Sequence, residues 1–196
     1  MMDAPATAQI CPQAYEVFAP ASKIPKLVEA AKDKKWQASS VEIEPGDVGR
    51  FTIFVAQRTD LPEPFSLMNE VPYVVRSLGG YTAVSQAKPE GLKCELPTWL
   101  SAVESNLPKA IFFEVSGGEV EQLNKDAISL GLNFIKFAGS SSGAVFRFSE
   151  PSVLSGKKIQ SIYYRMYRGD YGDAKMAVGM SRSEIVERDE AKWGRK

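Results

Sequence analysis

Two distant stretches of this chain carry the same alternation of apolar and polar positions. Tyr15-Glu16-Val17 and Phe113-Glu114-Val115 each end a short apolar strand, and each is followed by small residues, an amphipathic helix, a strand, a Gly-containing turn and an aromatic strand. In the first copy Ile24, Leu27, Val28 and Ala31 recur at helical spacing and set one apolar stripe. Ser22 is placed to cap that helix, and Pro25 falls in its first turn, where no amide donor is needed. Val41 and Ile43 then alternate with Glu42 and Glu44, Pro45-Gly46-Asp47 supplies a turn, and Phe51, Ile53 and Val55 alternate along the next strand. Residues 65–78 read as a helix broken around Pro72 and ended by Gly79-Gly80, with a fourth strand over 81–86.

The second copy opens with a strand over 110–115 and a helix over 119–130. That helix has Val120, Leu123, Ala127 and Leu130 on one side, acids in its first turn, and Gly131 just past its end. Strands over 133–138 and 144–149 follow. The second helix is reduced to 151–156, and 157–168, rich in β-branched and aromatic residues, reads as the closing strand. Residues 169–179 look irregular, and Ser181 with Glu184 makes a capping box for a charged helix over 182–193. Between the copies lie Pro89, Pro97 and Pro108, with Leu96, Leu100, Val103 and Leu107 sharing a face of a short helix.

The order β-α-β-β-α-β is that of a ferredoxin-like unit. The expectation is therefore an α+β chain of tandem ferredoxin-like units, with antiparallel sheets and helices on one face. Its divisions would be an arm over 1–12, a first unit over 13–88, a helical connector over 89–108, a second unit over 109–168 and a tail over 169–196. Strands near 15–18, 50–56, 111–115 and 144–148 should be central, burying Phe51, Ile53, Val55, Phe113, Phe146 and Phe148.

Composition narrows the function classes. With 24 basic and 24 acidic residues the chain has no overall field to draw in nucleic acid or an anionic membrane. From Gly156 onward ten Lys/Arg face six Asp/Glu, so the C-terminal fifth is basic, near +4. Histidine is absent, which removes Ser-His and Cys-His relays and the commonest transition-metal ligand. The two cysteines, Cys11 and Cys94, read as buried thiols in a reducing, cytoplasmic setting, and 1–9 lacks the basic and apolar stretches of a secretory signal. No run is apolar enough to span a bilayer. No metal and no cofactor is expected.

On the closing strand Tyr163, Arg165 and Tyr167 would share one face, with Arg168 beside them, and Tyr and Arg are enriched at protein interfaces. Phe112 and Arg147 would face outward on the open sheet face next to it. Ser116-Gly117-Gly118, before a helix, offers amides to an anion, though Glu114, Glu119 and Glu121 oppose one. Ile111-Phe112-Phe113-Glu114-Val115 is similar to the first motif of RNA-recognition-motif domains, whereas 143–148 departs from the second and Glu114 would occupy the stacking face. Regulatory amino-acid-binding domains share the strand-helix order and leave no sequence signature.

The expected function is a non-catalytic protein-binding, assembly or regulatory role through the open face and closing strand of the second unit, with another protein as partner and no membrane. The alternatives are single-stranded nucleic-acid binding through the basic, Tyr-rich C-terminal fifth, and an enzyme using carboxylate, Lys and Tyr groups between the units.

Overall fold

The computed structural model describes residues 9–56, 65–85, 87–96, 111–116, 119–132, 135–140, 143–148, 157–173 and 175–178. The chain divides into two compact units, Met1–Ser105 and Asn106–Lys196. Both are mixed α+β with an antiparallel sheet.

In the first unit β1 (Gln13–Pro20) leads through a 3₁₀ turn, Ala21–Lys23, into α1 (Ile24–Asp33). Ser22 therefore does not cap the helix. It sits within the 3₁₀ turn, and the N-cap, Lys23, makes no side-chain capping bond. Then come β2 (Gln37–Ala38), β3 (Glu42–Glu44), β4 (Val48–Val55), α2 (Phe65–Ser77) and β5 (Tyr81–Ser85). The sheet order is β2-β4-β1-β5, with β3 also on β4. β1 is central, matched residue for residue to β4 (Tyr15 to Ile53, Val17 to Phe51) and to β5 (Tyr15 to Val84).

Period-two alternation sends Tyr15, Val17 and Ala19 of β1 with Phe51 and Ile53 of β4 to one side, where Ile24, Leu27, Ala31, Val71 and Val75 of the two helices close over them. Val55 is only half-buried at the rim. Pro72 does not break α2, which runs continuously through it. A proline there removes one helical hydrogen bond, and Val71 and Val75, fully buried on either side, hold the turn in place. On β3 the register pairs Glu42 with Arg50 and Ile43 with Gly49. The glutamates thus take the face of Arg50, and Ile43 stays exposed at the rim. β2, absent from the sequence reading, pairs with β4, and Ser39 just past it extends the contact: its amide donates to the Thr52 carbonyl (2.9 Å) while its Oγ accepts from the Thr52 amide (2.8 Å).

The side of this sheet turned from the helices is also closed. Ala14, Glu16 and Phe18 of β1 and Val48, Thr52 and Phe54 of β4 are all buried. At the start of the unit Cys11 is disulfide-bonded to Cys94, which overturns the expectation of two free thiols. A parallel bridge joins Ile10 to Glu95, with Cys11 N–H donating to the Glu95 carbonyl (2.8 Å) and Glu95 N–H to that of Gln9 (2.9 Å). The cysteines therefore give no support to a reducing location. Among the described residues no helix is long and apolar enough to cross a membrane.

The second unit comprises β6 (Ile111–Ser116), α3 (Glu119–Ser129), β7 (Ile135–Ser140), β8 (Gly143–Phe148), α4 (Lys157–Arg168) and β9 (Lys175–Val178). The sheet order is β7-β8-β6-β9. The expected closing strand over 157–168 is thus a helix, and the strand that closes the sheet on β6 is β9, inside what the sequence suggested was tail. The unit accordingly extends past 168. β6 and β8 are central as expected, while the side chains of Phe113, Phe146 and Phe148 lie outside the described residues. So do the connector helix before Pro108 and the last helix over 182–193.

Each of the four helices described ends in the same hydrogen-bonded turn. The amide two past the C-cap reaches back to the third carbonyl from the end, as in Leu132 to Ala127 (2.8 Å) and Trp36 to Ala31 (2.9 Å). This turn needs a left-handed residue. Gly79, Gly131 and Gly169 supply it in three helices, and Lys35, at φ 59°, in the fourth.

Two outcomes follow. Phe51→Ala should lower stability by about 3–5 kcal/mol in chemical denaturation, since it removes a ring from the middle of the helix-covered core. Lys35→Gly should raise it by about 0.5–1 kcal/mol, because glycine avoids the left-handed penalty that lysine carries at this position.

Candidate functional site

The stretch 157–168 is helical because its burial follows helical spacing. Ile159 and Ile162 are fully buried one turn apart, Arg165 Nε donates to Ser161 Oγ across one turn (3.4 Å), and the Arg168 guanidinium lies over the Tyr164 ring at 5.4 Å. Arg165 and Arg168 fall in the last turn, where cations oppose the helix dipole, and Gly169 ends the helix.

This changes the expected interface. In a helix Arg165 points away from Tyr163 and Tyr167, which lie four residues apart on a common face. Tyr167 is 64% exposed, Tyr163 is half-buried, and Arg165 is 1% exposed. The Tyr-Arg-Tyr row therefore does not exist as a surface. Arg168 is turned to Asp170, with Nε donating to Oδ1 (2.8 Å).

Arg165 instead belongs to a buried cluster built on α3. Asp126 lies on the inner side of that helix with Leu123 and Ala127. Its Oδ2 accepts the Tyr171 hydroxyl (2.7 Å) and lies 3.5 Å from Arg165 Nη1, and its Oδ1 accepts from Gln122 Nε2 (2.9 Å). Burial pushes the Tyr171 phenol well above its ordinary range, and the hydrogen bond to Asp126 and its charge add to this, against the opposing charge of Arg165. The turn after α4 also folds back on the start of α3. A Cβ on Gly172, which has φ 57°, would collide with the Glu119 carboxylate.

A second cluster occupies the first unit, on the sheet side opposite the helices. Glu16, 1% exposed, accepts from Thr52 Oγ1 (2.9 Å) and from Arg50 Nη1 (3.2 Å). Arg50 Nε donates to Glu44 (2.7 Å), and its remaining nitrogen, Nη2, pairs with Glu42. One guanidinium thus holds three carboxylates from β1 and β3. Burial alone would lower the Arg50 pKa, but the bond to Glu44, the charges of Glu42 and Glu44 and the bond to Glu16 outweigh it and raise it.

Of the other expected site residues, Phe112 and Arg147 are register partners on β6 and β8, and Ser116 ends β6, while their side chains, like Gly117 and Gly118, lie outside the described residues. The clusters around Asp126 and Arg50 were not anticipated. Signals for both exist: Asp126 interrupts the apolar stripe between Leu123 and Ala127, and Glu16, Arg50 and Thr52 share one phase of alternation on paired strands. Among the described residues no group of three or more His, Cys, Asp or Glu is arranged to hold a metal ion.

No protein-family model and no curated protein matches the chain. Solved structures similar to it include two of low identity. One, described as a glycine cleavage system transcriptional repressor, gives a TM-score of 0.30 at 8% identity over 86% of this chain and 95% of that one. The other, an unknown protein from Galdieria sulphuraria, gives 0.26 at 11% identity over 86% and 96%. Likenesses this low carry no conclusion about this chain.

Asp126→Ala should cost about 3–5 kcal/mol, because it strands the buried Arg165, and Tyr171→Phe about 1.5–3 kcal/mol for a hydrogen bond to a charged acceptor. The phenols of Tyr15 and Tyr171 both sit above the ordinary value of 10.0, so the unfolded chain loses these protons first as pH rises. Their contribution is complete below about pH 10 and declines above it. Denaturant midpoints measured from pH 8 to 11 should fall at the alkaline end, with a shallower fall in Tyr171→Phe.

Proposed function

We propose that this protein is a non-catalytic binding protein of assembly or regulatory type, built of two tandem ferredoxin-like units, with another protein as its partner. The observation that carries this is the internal use of its buried polar groups. Glu16 is held by Arg50 and Thr52, and Asp126 by Tyr171, Arg165 and Gln122. General acid-base catalysis works best with a group poised near the operating pH. The Tyr171 phenol is driven far from that range, and the carboxylates serve to neutralise neighbouring cations and accept structural hydrogen bonds.

Among the polar residues that the helices of the second unit turn outward stand two large apolar or aromatic side chains. Ile128 of α3 is 67% exposed and Tyr167 of α4 is 64% exposed. Tyrosine adds contact area at low entropic cost and is enriched at interface hot spots. The nucleic-acid alternative has less support, because two of the four basic residues of α4 are paired internally, Arg165 with Asp126 and Arg168 with Asp170.

The test is a pull-down from the native source, with the wild type and an Ile128→Ala, Tyr167→Ala double variant as baits. The variant should keep its melting temperature, lose a specific protein partner by tenfold or more, and show the wild type's weak dependence on salt. Affinity falling by about 0.7 log units per tenfold salt for each phosphate contacted would assign the surface to single-stranded nucleic acid instead. Equal retention by both baits would remove this face from the proposal.

A further inference from the structure

The two cysteines sit at the two ends of the first unit, Cys11 just before β1 and Cys94 after β5, and their Cα atoms are 4.9 Å apart. Among the described residues, few backbone contacts accompany the bond. The backbones of 9–12 and 94–96 meet in one isolated parallel bridge, made by two hydrogen bonds, Cys11 to Glu95 and Glu95 to Gln9. β1 itself is held along its full length by β4 and along most of it by β5, with its side chains buried on both faces. The sheet has ample contacts of its own. The contact between 9–12 and 94–96 does not, since two backbone hydrogen bonds exchanged for water fall short of the entropy of ordering two chain segments.

We propose that Cys11–Cys94 is a redox latch, whose reduction releases residues 9–12 from 94–96 and leaves the β2-β4-β1-β5 sheet in place. Cys11 is fully buried and Cys94 half-buried, so a reductant approaches from the side of Cys94. The reductant is of the dithiol class, small molecule or protein. Its thiolate attacks Cys94 Sγ, the S–S bond breaks, and Cys11 leaves as a thiolate that takes up a proton. The second thiol of the reductant then resolves the mixed disulfide, freeing the Cys94 thiol. Two electrons and two protons pass to the cysteine pair, and the reductant departs as its own disulfide. The redox poise of the surroundings thereby sets whether the two ends of the first unit are tied. This inference does not depend on the binding role proposed above.

Hydrogen exchange read by mass spectrometry, on the full chain with and without dithiothreitol, tests it. The Cys11 and Glu95 amides should exchange at least tenfold faster after reduction, while those of Val17, Phe51 and Ile53 keep their protection. A Cys11→Ser, Cys94→Ser variant without reductant should show the same pattern. Three results would overturn the latch: Cys11 and Glu95 still protected in the reduced protein, the sheet amides released together with them, or an intact mass showing that dithiothreitol leaves the folded protein oxidised.

Discussion

A carboxylate in a strand buried on both faces has to be neutralised where it stands, and for Glu16 that requirement organises the first sheet. From Ala14 to Ala19 every side chain of β1 is buried. Five of these six are apolar or aromatic and pack without further conditions. Glu16 cannot, since an unpaired charge at such a site is far more costly than the pair that replaces it. The antiparallel register meets the need by placing Thr52 directly opposite and Arg50 two residues along. Arg50 in turn carries more donors than Glu16 can accept, and the surplus draws in Glu42 and Glu44. The short edge strand β3 is therefore set by charge, and Ile43 is left outside as a consequence.

The second unit meets a similar requirement in its helices. Asp126 and Arg165 are both buried, and each makes the other tolerable. Tyr171 uses the remaining capacity of the same carboxylate oxygen. Because Tyr171 lies beyond Gly169, that bond also fixes the direction in which the chain leaves α4 on its way to β9. Gly172 then allows the turn to approach Glu119 more closely than any side chain would permit. Burial, charge and backbone freedom act together at this corner, and the phenol is held protonated by the same contacts that order the turn.

The cysteines add a constraint of another kind, acting on chain ends. A cross-link over 83 residues restricts the unfolded chain whatever surrounds it. Here it joins segments whose backbones, among the described residues, share two hydrogen bonds, next to a strand paired along its full length.

Much of the backbone plan was legible in the chain. The stripe Ile24, Leu27, Ala31 specified α1 and its buried side, the alternation Phe51, Ile53 specified β4, and Gly131 marked the end of α3, because these signals are local and each is satisfied by one element. Where two periods competed, the sequence did not decide. In 157–168 the Tyr163-Arg165-Tyr167 alternation fits a strand, while Ile159, Ile162 and the pair Ser161-Arg165 fit a helix. The twelve-residue length and the following glycine favoured the helix. Only tertiary structure resolved it, since a buried guanidinium is tolerated only beside Asp126, which belongs to another helix. The same holds for Glu16 and for the cysteines, whose spacing of 83 residues says nothing about proximity. Residue type and local period determined which elements form. Which charges are buried, and which thiols meet, depended on partners distant in the chain that only the folded register brings within reach.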